Sequence, residues 1–291
     1  KAIILGLRAY HHFKLFSYFT PDYKNPSGPS VIKFDFLHTD DYNRFEKRAT
    51  VAEIVELIED DIEKAKDLNI GSSDNTLMSN SVLDAILVKL YSMTENYAGL
   101  ESAFNNLVNI PTPYGVGSAS QYLATFSDDQ GTASSNPDII FRMSRKVNQR
   151  GSHSVASAWY SDEVSDQDAI ISMEIGRSLY NEFDKLDPAS FGLEKDAPRM
   201  DVRYAVNVSN YSKVATNYAS LSQDNYMKND VLLVGKYPGR TAAPLQNDVM
   251  VFRFTDMLLA LAEKRAAEGN INGPHVTGDF SNVESIIYHI R

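Results

Sequence analysis

Apolar residues recur every three to four positions through most of the first 109 residues, a spacing that predicts helices. Over 1–19, Ala2, Ile3, Leu7, Tyr10, Phe13 and Phe16 keep this period. A loop follows at 21–29 (PDYKNPSGP), where three prolines and a glycine break any element. The strongest signal covers 50–68. There Val51, Ile54, Ile58, Ile62 and Ala65 form an apolar face, and Glu56, Glu59, Asp60, Glu63 and Lys64 a polar one. Thr50 and Glu53 stand in T-x-x-E spacing, which lets each satisfy the other's unpaired backbone N–H. Two more helices are expected at 80–93 and 97–108, the first capped by Asn80 or Ser81, with Leu83, Leu87, Leu90 and Tyr91 on its buried side. The link between them is short, so they should lie antiparallel.

The pattern weakens after Pro111 and Pro113. GVGSASQY and SDDQGTASSNPD read as loops, DIIFRM (138–143) and VLLVGKY (231–237) as short strands, and 167–185 as a short helix or two. Strong helical periodicity returns at 252–268, with Gly269 as the residue that ends it, and again at 281–291. The expected class is all-α with a few short strands. Its parts are a helical region at 1–109, an irregular loop-rich insert at 110–250 and a final helix pair at 251–291, all in one compact domain. Helix pairs in series point to tetratricopeptide-like packing. Tyr91, Tyr97 and Phe104 fit that repeat, while Glu95 stands at its glycine position and Leu100 at its alanine position.

Composition narrows the chemistry. The chain of 291 residues carries a net charge of -10, which argues against binding a nucleic-acid backbone. No run approaches 18 apolar residues, so no spanning helix is expected. There is no cysteine, which excludes thiolate catalysis, disulfides and Cys-ligated metals. H-E-x-x-H, G-x-S-x-G, the phosphate-binding P-loop and the EF-hand loop are absent. GVGSAS (115–120) lacks the third glycine of a dinucleotide fingerprint and follows Pro113 rather than a strand. His11 and His12 are neighbours on a helix and point about 100° apart, so one should be buried and one exposed, and they cannot share a metal. The acidic doublets Asp40–Asp41, Asp60–Asp61 and Asp128–Asp129 do not by themselves set two carboxylates across a cleft. No catalytic residue, metal site or cofactor is therefore expected. The pair Trp159–Tyr160 stands out, because it lies in a polar stretch with no amphipathic face to bury it. Its readings are a small core under a loop or an aromatic platform for a sugar or peptide. The lack of an initiator Met and a last helix without a stop signal point to a piece of a longer protein, whose targeting signals would lie outside it.

Four segments together resemble the SusD/RagB family of outer-membrane nutrient-binding lipoproteins of the Bacteroidetes. Leu7-Arg8-Ala9 with Phe13 and Leu15 is similar to that family's L-R-A…Y-F-x-L helix, with His12 at the usual tyrosine. NPSGPSVI and Arg48-Ala49-Thr50-Val51 follow at family-like spacing, and Asn136-Pro137-Asp138-Ile139-Ile140-Phe141 resembles N-x-E-I-I-F. Arg253, Asp256, Leu258, Leu259, Ala262, Glu263 and Gly269 match R-x2-E-x-L-L-x2-A-E-x5-G, and Ile287, Ile290 and Arg291 match the helix that follows. The resemblance implies a non-catalytic, cell-surface subunit of an outer-membrane importer. It would hold oligosaccharides or peptides for a SusC-like TonB-dependent barrel and be anchored by an N-terminal lipid outside this chain. It carries over no ligand residue. Arg8, Arg253 and Asp256 are read as ties between helices, and Trp159 and Tyr160 remain the candidate ligand contacts. A tetratricopeptide-like adaptor binding only proteins is the alternative. A glycan-active enzyme has only the acidic surplus and the aromatics in its favour.

Overall fold

The computed structural model describes residues 1–34, 46–127, 136–145, 173–185, 202–209, 212–221, 229–240, 243–244, 247–276 and 278–290. In chain order its elements are α1 (Ala2–Phe19), β1 (Pro29–Ile32), β2 (Arg48–Thr50), α2 (Val51–Asp67), α3 (Asn80–Thr94), α4 (Tyr97–Val108), α5 (Ala119–Ser127), β3 (Ile139–Met143), α6 (Arg177–Lys185), α7 (Val202–Asn207), β4 (Gly239–Arg240), β5 (Ala243–Pro244), β6 (Val249–Arg253), α8 (Phe254–Ala267) and α9 (Val283–Ile290). The class is mainly helical, as the periodicity predicts. Among the described residues the strands pair in twos: β1 with β2, β3 with β6, and β4 with β5.

The chain forms two compact units. The first contains Lys1–Val116, Pro137–Arg142 and Met250–Arg291; the second contains Gly117–Asn136 and Met143–Val249. In the first unit α1 packs on α2 and α3 on α4. Ile54, Ile58 and Ile62 of α2 are fully buried beside Phe13 and Phe16 of α1 in one core. Each such side chain contributes about 1.5–3 kcal/mol by leaving water. The start of α2 is held as its T-x-x-E spacing predicts. Thr50 Oγ1 accepts from the Glu53 N–H, and Glu53 Oε2 accepts from the Thr50 N–H at 2.7 Å. The cap of α3 is Ser79, one residue before either candidate, accepting from the Val82 N–H at 3.4 Å. Asn106, late in α4, donates to Asp84, early in α3, at 2.9 Å, so the two helices run antiparallel. Between them Glu95 takes a left-handed backbone, φ 57°, where the repeat places glycine. α8 completes this core: Phe254 stacks on Phe104 with ring centroids 5.5 Å apart. Gly269 ends α8 at φ 79°, the conformation that favours glycine there.

Four local expectations change. The stretch read as a loop at GVGSASQY becomes helical from Ala119, where α5 begins. VLLVGKY is not a ladder: Val231, Leu233 and Val234 each pair with a different segment, at Lys213, Glu174 and Val208, so no two neighbours share a partner strand. Of the helix expected at 167–185, the described part is helical only from Arg177; Glu174 bridges to Leu233 instead. Residues 252–253 close β6 before α8 starts. On α1 the apolar period holds, but Ile3 and Leu7 face outward while Ala9, Tyr10, Phe13 and Phe16 are buried.

The second unit has a small apolar centre of Ile175, Tyr180, Val208 and Leu232. β4 and β5 form a minimal antiparallel pair, Gly239 with Pro244 and Arg240 with Ala243.

Candidate functional site

Trp159 and Tyr160 lie outside the described residues, as do Tyr211 and Tyr226. The tyrosines of the irregular region that are described divide by surroundings. Tyr114 packs against the core of the first unit. Tyr122 meets Phe126 edge-on at 5.1 Å, and Phe126 meets Tyr237 at 5.5 Å, with the Lys236 ammonium 4.3 Å from the Phe126 ring centre. Tyr237 holds a left-handed backbone, φ 64°, which costs an aromatic residue about 1–3 kcal/mol and is tolerated only where its surroundings fix it.

Tyr218 belongs to a more ordered arrangement in the second unit. It sits on a single 3-10 turn, Tyr218–Ser220, half-exposed, and its ring lies 3.9 Å from the Arg177 guanidinium carbon. Arg177 opens α6, and Tyr180, one turn on, approaches the same guanidinium at 5.1 Å. The remaining contacts of Arg177 fix its plane. Nη1 donates to Asp230 Oδ1 at 2.5 Å, Nη2 to the Ala215 carbonyl at 3.2 Å and Nε to Asn181 Oδ1 at 3.1 Å. Asn181, one turn after Arg177, donates to the Tyr218 hydroxyl at 3.1 Å. Asp230 is fully buried and also accepts from the Ala215 N–H at 2.9 Å, while its second oxygen has no hydrogen-bond partner. Burial, reinforced by the charge of Asp230, pushes the Glu174 carboxyl above its ordinary value, against the pull of the Leu232 N–H.

This arrangement presents a flat ring backed by a cation and locked at its hydroxyl. One face of the ring is taken by Arg177, and Tyr218 as a whole is half-exposed. Such a surface can stack on the apolar C–H face of a sugar or on a planar side chain, at little conformational cost. Exposed Asn217 and Ser220 on the same turn offer amide and hydroxyl groups beside it. The charge of Asp230 is committed to Arg177.

The other candidate residues are structural. His12 is buried, with Nδ1 bonded to the Arg8 carbonyl and Nε2 accepting from the Phe34 N–H at 3.1 Å, and His11 is exposed, as their adjacency predicts. Arg8 grips both carboxylate oxygens of Asp61 at 2.7 and 2.6 Å, and so joins α1 to α2. Arg253 bridges Asp138 and Asp256, each at 3.4 Å. Asp60 meets Lys64 in solvent, while Asp40, Asp41, Asp128 and Asp129 lie outside the described residues. Among the described residues no three His, Cys, Asp or Glu side chains gather as a metal would need. None of these helices is long and apolar enough to cross a membrane. The sequence pattern sets Tyr218 apart from none of the other tyrosines of the irregular region and gives no sign of Arg177, Asn181 or Asp230 as its partners. The i,i+4 spacing of Arg177 and Asn181 was visible, but Asp230 lies 53 residues away and nothing local announces it.

No family profile and no curated protein matches the sequence. Solved structures do match. A SusD superfamily protein from Bacteroides thetaiotaomicron VPI-5482 superposes with a TM-score of 0.70 at 17% identity, covering 99% of this chain and 56% of that one. A SusD superfamily protein from Bacteroides vulgatus ATCC 8482 gives 0.62 at 19% identity, over 99% and 56%. A protein of the same organism named SusD-like carbohydrate binding protein gives 0.62 at 14%, over 99% and 58%. The chain thus spans little more than half the length of these structures. Their agreement over nearly every residue of this chain, at identities where only the fold is held in common, shows that it has the SusD-superfamily fold.

Proposed function

We propose that this chain is part of a SusD-like glycan-binding protein on the outer face of a bacterial outer membrane. In this reading it captures oligosaccharides and hands them to a SusC-like, TonB-dependent barrel, and a lipid outside this chain attaches it to the membrane. The observation that carries the reading is the likeness in fold to a protein named carbohydrate binding, joined to the rigid Tyr218–Arg177 platform in the loop-rich unit. Trp159 and Tyr160 belong to the same proposal as further aromatic contacts. The role is binding rather than catalysis, and it needs no cofactor.

Trp159, the single tryptophan of these 291 residues, serves as the probe, with any tryptophan outside them changed to phenylalanine. Titrating the full-length protein with defined oligosaccharides should give a saturable change in indole fluorescence with one glycan class. Tyr218→Ala should weaken that binding by about tenfold, the scale of one lost stacking contact. Saturable binding of oligopeptides in place of glycans would shift the cargo to peptides. Shortened glycan products seen by mass spectrometry would refute a role limited to binding.

A further inference from the structure

The loop between α8 and α9 is tied to one residue of α9. Glu284, in the first turn of that helix, donates its N–H to the Ile271 carbonyl at 3.0 Å, and its Oε2 accepts from the Gly273 N–H at 3.1 Å. Asn272 stands between these two bonds. It is exposed, and among the described residues its side-chain amide has no hydrogen-bond partner. Gly273 is held from a second side, because a Cβ there would collide with the buried Asn282 side chain. Asn282 in turn caps α9, its Oδ1 accepting from the Ser285 N–H at 2.8 Å, and Ser285 Oγ donates to the Pro274 carbonyl.

Asn272–Gly273 is the only Asn-Gly pair in the 291 residues. Glycine after asparagine leaves the next backbone nitrogen without a side chain to shield it. That nitrogen can attack the asparagine side-chain carbon and close a five-membered imide. The reaction needs a side chain free to turn onto the nitrogen and a group to take the N–H proton. Asn272 meets the first need, since no bond holds it in one rotamer. Glu284 meets the second. Its carboxylate already accepts the Gly273 N–H at 3.1 Å, within the reach of a general base.

We propose that Asn272 is a self-modification site at which the chain deamidates, with Glu284 as the general base. Glu284 Oε2 takes the proton as the Gly273 nitrogen bonds to Asn272 Cγ. The proton passes on to the side-chain nitrogen, whose bond to Cγ breaks, and ammonia leaves. One water then opens the imide. Cleavage of the new bond between Gly273 N and Cγ gives aspartate. Cleavage between Gly273 N and the main-chain carbonyl carbon of residue 272 gives isoaspartate, whose backbone is one carbon longer. The longer path cannot keep both Ile271 and Gly273 on Glu284 without a shift. The start of α9 therefore loosens, and with it the hold on Ile286, which is fully buried in the core. The site lies in the first unit and is independent of the glycan reading.

The test incubates the full-length protein at neutral pH and follows residue 272 by peptide mass spectrometry, with a synthetic peptide of residues 266–278 as the reference. An ordered loop without a base slows this reaction relative to a free peptide. Here Asn272 should convert about tenfold faster in the protein than in the peptide, because the base outweighs the cost of order. Glu284→Gln keeps an acceptor for the Gly273 N–H but removes the base. It should slow the conversion by about a hundredfold, the lower end of what a positioned general base contributes, at an unchanged melting temperature. Asn272→Gln should stay unmodified, since its imide would be six-membered and closes more slowly. Protein carrying isoaspartate, separated by ion exchange, should exchange its α9 amides faster than unmodified protein. The proposal fails if residue 272 converts no faster in the protein than in the peptide, or if Glu284→Gln leaves the rate unchanged or raises it. The loosening of α9 fails if the modified protein protects that helix as well as the unmodified one.

Discussion

At the scale of single residues, local conflicts mark where tertiary structure has prevailed. Glu95 holds φ 57° at a helix-to-helix turn, and its exposed side chain pairs with Lys24. Glycine adopts that backbone without steric cost, and an exposed ion pair is worth little. Glu95→Gly should therefore stabilise the protein by roughly 0.5–1 kcal/mol, read as a higher denaturation midpoint in urea. His12 shows the reverse situation. Burial holds its imidazole below the ordinary value, and its two ring nitrogens are used as a donor and an acceptor. The unfolded chain then takes up the proton first as pH falls below about 6.5, so stability contributed above that value is lost toward the lower folded value. His289, lowered by burial as well, acts in the same direction. The fall in melting temperature between pH 7.5 and 5.5 should shrink, without vanishing, in His12→Asn. In the second unit Arg177→Ala would strand the Asp230 carboxylate in a buried site, at a cost of about 3–5 kcal/mol. Loss of amide protection around Ile175 and Leu232 would report it, and Arg177→Met with Asp230→Leu should recover part of the loss.

Elements were legible in the sequence where their own residues decide them. The α2 helix announces itself through Thr50, Glu53 and an unbroken apolar face, and it forms as read. Thr50→Ala should cost about 1 kcal/mol, measured by thermal melting. The α3–α4 turn was legible as a short link, but not the closeness of its packing. A Cβ on Gly99 would stand 2.8 Å from the Tyr91 ring and from the Asn96 amide that caps α4. Gly99→Ala should therefore cost about 1–3 kcal/mol, well beyond the small helix-propensity gain expected from alanine. Elements decided by distant partners were not legible. VLLVGKY has the composition of a strand, yet its residues are claimed by three different segments. Asp61 reads in the sequence only as half of an acidic doublet, and only its meeting with Arg8 on another helix explains its burial. Ile3 and Leu7 keep the helical period but face outward, because periodicity shows which residues share a face and not which faces are covered.

At the scale of the molecule, ligand capture should register as stability. In the proposed reading, a glycan that binds only the folded protein raises its unfolding free energy by about 2.7 kcal/mol at a hundred times its dissociation constant, and Tyr218→Ala, by weakening binding tenfold, should cut that rise to about 1.4 kcal/mol. The order of the chain has a different consequence. The first unit is built from three separated stretches, and α8, which brings Phe254, Met257, Leu258 and Leu261 to its core, belongs to the last of them. During synthesis at about 5–20 residues per second, the stretch between Val116 and Met250 occupies the ribosome for roughly seven to twenty-seven seconds. Throughout that interval α3 and α4 wait with the surface meant for α8 uncovered. The nascent chain therefore passes through a long window in which holdase chaperones, rather than its own sequence, must keep that surface from aggregating.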